Sequence, residues 1–403
     1  MGHIIVIGAG QAGASCCAKL RTLGYEGELT LIGAETVPPY QRPPLSKAYL
    51  LGEMEKERLY LRPESYYADQ NITLKLGQAV TAINPADKTL NLSGETLSYD
   101  ELVLTTGSDP RHLPASIGGE LEGVYVVRDL SDVDAMAPEF TKDRHVLIVG
   151  GGYIGLEAAA VASKLGLKVT LLEMADRILQ RVAAPETSDY FRELHISKGV
   201  DIREGLGLDR LLGDERVTGA SLTDGSQIDV DFVIAGVGIL PADHLASNAG
   251  IEIENGIKTN AFGQTSDPHI WAAGDCASYP AGGIQRRLES VQNAIDQSEL
   301  VAENILGAGK SYDPKPWFWS DQYDVKLQIA GLNIGFDKVV TRAGDKDGAV
   351  SHWYYDGDKL LAVDAMNDPR AYMVGKRLIE AGKSPSSEAI ASPKTDLKEL
   401  LKA

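Results

Sequence analysis

Gly8-Ala9-Gly10-Gln11-Ala12-Gly13 stands near the start of the chain, and Gly150-Gly151-Gly152-Tyr153-Ile154-Gly155 follows about 140 residues later. Each is preceded by an apolar run, His3-Ile4-Ile5-Val6-Ile7 or His145-Val146-Leu147-Ile148-Val149. Such runs suit parallel strands covered on both faces. A helical stretch comes next, predicted over Gly13 to Leu23 and over Leu156 to Leu165. Gly24 and Gly166 lie just past these stretches, where a glycine stops a helix. A second strand follows, Leu29–Ile32 or Lys168–Leu172, and an acid closes each unit, Glu35 or Glu173. One glycine turn is weak evidence. The whole order of strand, turn, helix, strand and acid, found twice, predicts two dinucleotide sites.

Each glycine has its own task. The first (Gly8, Gly150) makes the tight turn, and the second (Gly10, Gly152) lets the backbone approach a pyrophosphate. The third (Gly13, Gly155) lets helix pack on strand. The helix N-terminus adds free N–H groups and a positive dipole end. Glu35 and Glu173 are placed to accept hydrogen bonds from ribose hydroxyls. Glu173 would also repel a 2′-phosphate, which favours NADH, although Arg177 and Arg181 downstream could accommodate one. Two such sites are most economically filled by a flavin dinucleotide and a nicotinamide dinucleotide, which makes the chain a redox enzyme.

The 403 residues have room for two or three domains, and 43% hydrophobic with 24% charged residues is an ordinary globular balance. A net charge of -18 argues against nucleic acid as a main partner. No apolar run approaches the roughly 18–20 residues that span a bilayer. The N-terminus enters a strand without a basic n-region, so a cytoplasmic location is expected. Cys16, Cys17 and Cys276 form no CxxC pair, and buried side chains are expected rather than a zinc site or a redox dithiol. The seven histidines have no spacing that suggests a metal site.

Further strands are predicted at Asp100–Gly107, Asp231–Gly238 and Ile270–Asp275, each ending in a small-residue turn. The first two could return the chain from one domain to the next. A long helix is predicted over Val291–Leu306, a linker over Lys310–Pro316, and antiparallel strands over Val350–Val363. The last twenty or so residues, rich in Ser, Lys and Glu, read as a loosely held tail with a short helix.

Several segments carry a resemblance. Pro39-Tyr40-Gln41-Arg42-Pro43-Pro44-Leu45-Ser46-Lys47 is similar to the YxRPPLSK segment of bacterial ferredoxin reductases that serve oxygenases. Gly150 to Glu157 resembles that family's NADH fingerprint. Trp271–Asp275, Leu288–Ala294 and Pro316–Gln322 resemble its later flavin motifs. The match runs in order from about residue 3 to residue 370.

The resemblance implies an α/β fold with two Rossmann-like dinucleotide-binding domains, glutathione-reductase-like, plus a C-terminal α+β domain. The FAD-binding domain would comprise 1–108 and 238–316, the NADH-binding domain 109–237 and the C-terminal domain 317–403. At FAD it implies backbone contacts from Ala12 and Val80 and charge compensation by Arg42 and Arg128. Asp275, after Gly274, would hold a ribityl hydroxyl, and Val291 would bring a helix N–H to the pyrimidine edge. Thr106 and Gly107 would also line the flavin, with Trp319 beside its ring system. Tyr153 and Ile154 would join the second fingerprint at NADH. An ammonium on Lys47, after a rigid Pro-Pro pair, is a natural donor near the flavin N5, and a buried ammonium needs a partner. Glu157 is the best candidate for that partner.

The implied activity is electron transfer from NADH through FAD to a small [2Fe–2S] ferredoxin feeding a P450 or ring-hydroxylating oxygenase. Hydride transfer needs stacking geometry rather than an acid or base. Without a thiol relay, electrons must leave directly for an external acceptor. The alternatives are a rubredoxin reductase, an NADH oxidase, or a redox-sensing interaction protein of the apoptosis-inducing-factor type. Acidic ferredoxins would require local basic docking residues, and Arg286, Arg287, Arg370, Lys376 and Arg377 are the candidates.

Overall fold

Alternation along a strand sends successive side chains to opposite faces, and the first apolar run shows the consequence. His3–Ile7 is the central strand of a five-stranded parallel sheet, ordered Ile270–Ala272, Glu101–Leu104, His3–Ile7, Glu28–Gly33, Thr73–Leu76. Ile4 and Val6 pack with Cys16, Cys17 and Leu20 of the Gln11–Thr22 helix and with Val301 of the Val291–Ile305 helix. Ile5 and Ile7 face the other way, against Leu90, Leu92 and Ile257. A computed structural model describes residues 2–402, and this sheet belongs to the first of two compact units, made of residues up to 42, 55–109 and 239–314.

The second unit contains residues 43–54, 110–238 and 315 onward. Its parallel sheet repeats the pattern, ordered Asp201–Glu204, Lys168–Glu173, His145–Val149, Phe232–Ala235, Val124–Tyr125. A five-stranded antiparallel sheet completes it, ordered Trp317–Gln322, Val325–Gly331, Lys359–Met366, Val350–Asp356, Lys338–Ala343. The Pro369–Glu380 helix packs on that sheet at Gly375, where a Cβ would come 2.5 Å from Val363 Cγ1. A buried cluster also joins this sheet to the Pro185–Ser197 helix. Thr187 Oγ1 donates to Asp364 Oδ2 at 2.8 Å and lies 2.8 Å from His352 Nδ1, and the Tyr354 hydroxyl donates to the same carboxylate. Burial pushes Asp364 up to about 6.

Three expectations change. The fingerprint helices begin at Gln11 and Tyr153, before Gly13 and Leu156, because Gly10 and Gly152 are their N-caps. Pro43–Met54, expected within the 1–108 flavin domain, packs in the second unit. The C-terminal segment is not a loose tail. Ile390 and Leu397 are buried, and the Arg342 guanidinium donates to Ile390 O (2.7 Å), Ser392 O (2.7 Å) and Thr395 O (2.8 Å). Among the described residues no helix is long and apolar enough to cross a membrane.

Arg342→Ala would leave those carbonyls without their donor. It is expected to cost about 1–3 kcal/mol and to remove amide hydrogen-exchange protection from 387–401. Undiminished protection there would contradict the anchoring role.

Candidate functional site

The glycines of both fingerprints divide by what constrains them. Gly8 has φ +112° and a Cβ on it would lie 2.1 Å from Thr105 O; Gly150 has φ +110° and its Cβ would lie 2.3 Å from Gly236 O. A Cβ on Gly13 or Gly155 would lie 2.1 Å from the carbonyl of Gly8 or Gly150. The protein itself therefore demands these four. Gly10 and Gly152 differ. Their φ values are −96° and −81°, and a Cβ would meet no described heavy atom within 4 Å. Neither backbone nor neighbours require glycine there, so the open space is what a close-lying pyrophosphate would use. No side chain among the described residues caps these two helices, whereas Ser290 and Asp368 cap the Val291–Ile305 and Pro369–Glu380 helices. Free first-turn N–H groups and an open cradle fit a dinucleotide in each unit.

In the first unit, parallel pairing sets the strand ends beside the first fingerprint. Thr105 Oγ1 donates to Ile7 O (3.0 Å) and Gly8 O (2.9 Å). A Cβ on Gly274 would lie 3.1 Å from Ala12 Cβ, so the late Gly274-Asp275 turn packs on the early helix. Asp275 Oδ2 accepts from Ser108 Oγ at 3.3 Å, and Gly274 N donates to Gln297 Oε1 at 2.9 Å. Val291 opens the long helix, Val80 opens the Val80–Asn84 strand, and Thr106 Oγ1 donates to Ala242 O at 2.6 Å beside Gly107. Glu35 accepts from Arg42 Nη2 (2.5 Å) and from the Tyr40 hydroxyl (2.6 Å). The carboxylate expected at a ribose and the guanidinium expected at a pyrophosphate are thus partners of each other. Arg128, the second expected pyrophosphate cation, belongs to the other unit, where its backbone N–H donates to Asp132 Oδ2 at 2.9 Å.

In the second unit, Glu173 curls back onto the fingerprint. Its Oε2 accepts from Gly151 N and its Oε1 from Ala175 N, both at 2.8 Å. Carboxylate oxygens have further lone pairs, so a ribose can still donate to it. Arg177, read from sequence as able to accommodate a 2′-phosphate, has internal partners. Its guanidinium donates to Ser188 Oγ (2.5 Å) and Ala183 O (2.8 Å), locking the following loop. Ile154 is 43% exposed. Tyr153 packs against Phe318 (ring centroids 5.0 Å apart) with its hydroxyl buried, while the residue as a whole is half-buried.

The ion pair expected between Lys47 and Glu157 is present. Glu157 is buried, and Lys47 Nζ lies 2.6 Å from its Oε2. Ser46 Oγ donates to the same oxygen at 2.7 Å, and Ser320 Oγ donates to Oε1 at 2.6 Å. Neither serine was singled out from sequence. The signal was available, since a carboxylate has about four acceptor sites and one ammonium satisfies few of them. Strand alternation turns Trp319 to the face opposite Ser320, its ring 5.6 Å from that of Trp317, and Lys376 Nζ lies over the Trp317 ring at 5.2 Å.

The expected docking cations separate. The Arg287 side chain is only 10% exposed; it donates to Asp275 O (3.0 Å) and pairs with Glu289 (2.6 Å), so it is structural. Arg370 is paired with Asp345 and Asp396, and Lys376 is engaged with Trp317. Arg286 is half-buried and Arg377 exposed. Cys16, Cys17 and Cys276 are buried, and desolvation pushes Cys16 up to about 12. A thiol in that state is a poor nucleophile.

Residues 2–298 match the model of the pyridine nucleotide-disulphide oxidoreductase family, and 317–401 match that of a reductase C-terminal domain. A ferredoxin–NAD(P)(+) reductase of a Sphingomonas species is 42% identical over 99% of this chain and 97% of that protein. Putidaredoxin reductase of Pseudomonas putida is 40% identical over 100% of this chain and 97% of its own length. The solved structure of a covalent putidaredoxin reductase–putidaredoxin complex superposes with a TM-score of 0.95 at 40% identity, covering 100% of this chain and 98% of that one. The cofactors of this family are FAD and NAD(P)H, and the two cradles fit them.

Gly10→Ala should fold yet bind FAD at least about tenfold more weakly, because the methyl group fills space that only a ligand uses. Gly13→Ala should instead lower the thermal midpoint, since its Cβ meets a carbonyl. Wild-type flavin affinity in Gly10→Ala would show that the cradle is not the pyrophosphate site.

Proposed function

The chain belongs to the pyridine nucleotide-disulphide oxidoreductase family, and we propose that within it this protein carries electrons from NADH through FAD to a small [2Fe–2S] ferredoxin. That ferredoxin would supply a P450 or a ring-hydroxylating oxygenase. The observation that carries the proposal is the pairing of two ligand-shaped glycine cradles with three buried cysteines, none of them in a redox pair. Electrons that enter as a hydride have no thiol relay to follow. The names of the relatives point to the same class of acceptor.

Bound FAD supplies the conversion of a two-electron donor into single-electron deliveries. The chain's own residues bind and orient. Gly10 and the Gln11–Thr22 helix receive the flavin pyrophosphate, and Asp275 accepts from its ribityl chain. Gly152 and the Tyr153–Lys164 helix receive that of NADH. Glu173 accepts from the adenosine ribose and repels a 2′-phosphate, while the Arg177 guanidinium is held in place by Ser188 and Ala183. Glu157 lies just beyond the NADH cradle and fixes the Lys47 ammonium, the donor proposed to face the flavin N5. A hydride moves with both its electrons, so no general acid or base is assigned.

Arg286 is the proposed ferredoxin contact, because electrostatic steering toward an acidic partner needs local positive charge on a chain of net charge -18. Arg286→Glu should slow ferredoxin reduction about tenfold at low salt while leaving NADH-dependent ferricyanide reduction unchanged. Equal loss of both activities would sink the docking role. Glu173→Ala should raise KM for NADH and narrow the NADH/NADPH preference in kcat/KM; an unchanged ratio would refute the ribose assignment.

A further inference from the structure

Beyond Ser320, the hydrogen bonding continues away from Glu157. Gln322 Nε2 donates to Ser320 Oγ at 3.2 Å, Gln322 Oε1 lies 2.8 Å from His195 Nε2, and the Tyr323 hydroxyl lies 3.3 Å from His195 Nδ1. Ser320, Gln322 and His195 are each fully buried. Apolar side chains of similar volume would hold a strand against a helix at no polar desolvation cost, so a row of buried polar groups calls for another reason.

We infer that His195, Gln322 and Ser320 form a directional relay that sets the orientation of the Glu157 carboxylate, which makes His195 a positioning residue for hydride transfer. The inference rests on the proposal that Lys47 and Glu157 act at the hydride-transfer site.

The direction follows from donor and acceptor rules. A carboxylate only accepts, so the Ser320 hydroxyl donates to it. The Ser320 oxygen can then accept only from a donor, which turns the Gln322 amide nitrogen toward it. The Gln322 carbonyl is left facing His195, whose Nε2 must carry the proton, and the bare Nδ1 accepts from Tyr323. Desolvation pushes His195 down to about 4, so the imidazole is neutral near pH 7 and this tautomer is specified by its neighbours. The amide is the element with two states. Without the His195 donor, Gln322 can turn its carbonyl to Ser320, and the serine proton then leaves Glu157. Oε1 loses its donor, and the carboxylate is restrained on one side only, by Ser46 and Lys47. Small losses of alignment at reacting groups slow a step strongly.

The test uses the holoenzyme in anaerobic stopped-flow mixing with NADH, together with ¹⁵N NMR of the histidines. His195→Leu is expected to lower the limiting rate of flavin bleaching about tenfold, the equivalent of one lost hydrogen bond to a charged group. The NADH dissociation constant should stay within about twofold. His195→Gln keeps an N–H donor and should restore the rate. Wild-type His195 should show the neutral Nε2–H tautomer. If His195→Leu does not fold, Ser320→Ala and Ser320→Thr ask the same question, since only threonine keeps the hydroxyl. An Nδ1–H tautomer, or wild-type bleaching rates in His195→Leu or Ser320→Ala, would overturn the relay even if the thermal midpoint falls. Glu157→Gln separates the two levels. If it bleaches at the wild-type rate, the catalytic placement of Glu157 fails; if it is slow while His195→Leu is not, only the relay fails.

Discussion

A single buried carboxylate ties three segments of the second unit together. Glu157 accepts from Lys47 and Ser46 of one chain segment and from Ser320 of another, while its own helix begins at the second glycine fingerprint. Removing one partner of a buried pair typically costs about 3–5 kcal/mol, because the remaining charge is left without compensation. Lys47 and Ser46 lie in Pro43–Met54, which packs with the second unit and is tied to it also by Tyr49 to Asp134 (2.7 Å) and Glu53 to Lys164 (2.7 Å). Chain order therefore does not decide domain membership here. The need to satisfy Glu157 is one physical reason why a segment between two stretches of the first unit packs with the second.

The two cradles follow one logic with two occupants. In each, two glycines are dictated by the protein, and the middle one faces open space that no described residue fills. The acids that close the units differ in their partners. Glu35 is occupied by a guanidinium and a phenol, Glu173 by backbone N–H groups. Backbone donors leave the negative charge of Glu173 unmatched by any cation in those contacts, which suits discrimination against a phosphorylated ribose. The Glu35–Arg42 pair carries no such bias.

Much of this was legible in the chain. Apolar runs, glycine spacing and closing acids give the central strands of both parallel sheets but not the edge strands Thr73–Leu76, Val124–Tyr125 and Asp201–Glu204, because strand and helix periodicity are local properties. The Lys47–Glu157 pairing was legible for a different reason, since a buried charge must find an opposite one. Ser46 and Ser320 were legible only as a need for further donors to Glu157, and Gln322 and His195 not at all, because a serine or glutamine on a buried face reads the same as one on the surface. Arg177 and Arg287 look like ligand or partner cations until their guanidiniums are seen bound to neighbouring carbonyls, a serine and a glutamate. The C-terminal residues read as a tail because their anchor, Arg342, lies on a strand some fifty residues earlier.

In the proposed reaction the electrons of one hydride leave singly for an external iron–sulfur protein. Anaerobic addition of one equivalent of NADH to the holoenzyme, followed by excess oxidised [2Fe–2S] ferredoxin, measures this directly. Flavin bleaching is expected, then full return of flavin absorbance with two ferredoxins reduced per NADH. Flavin that bleaches but stays reduced until oxygen is admitted, with the ferredoxin still oxidised, would contradict it.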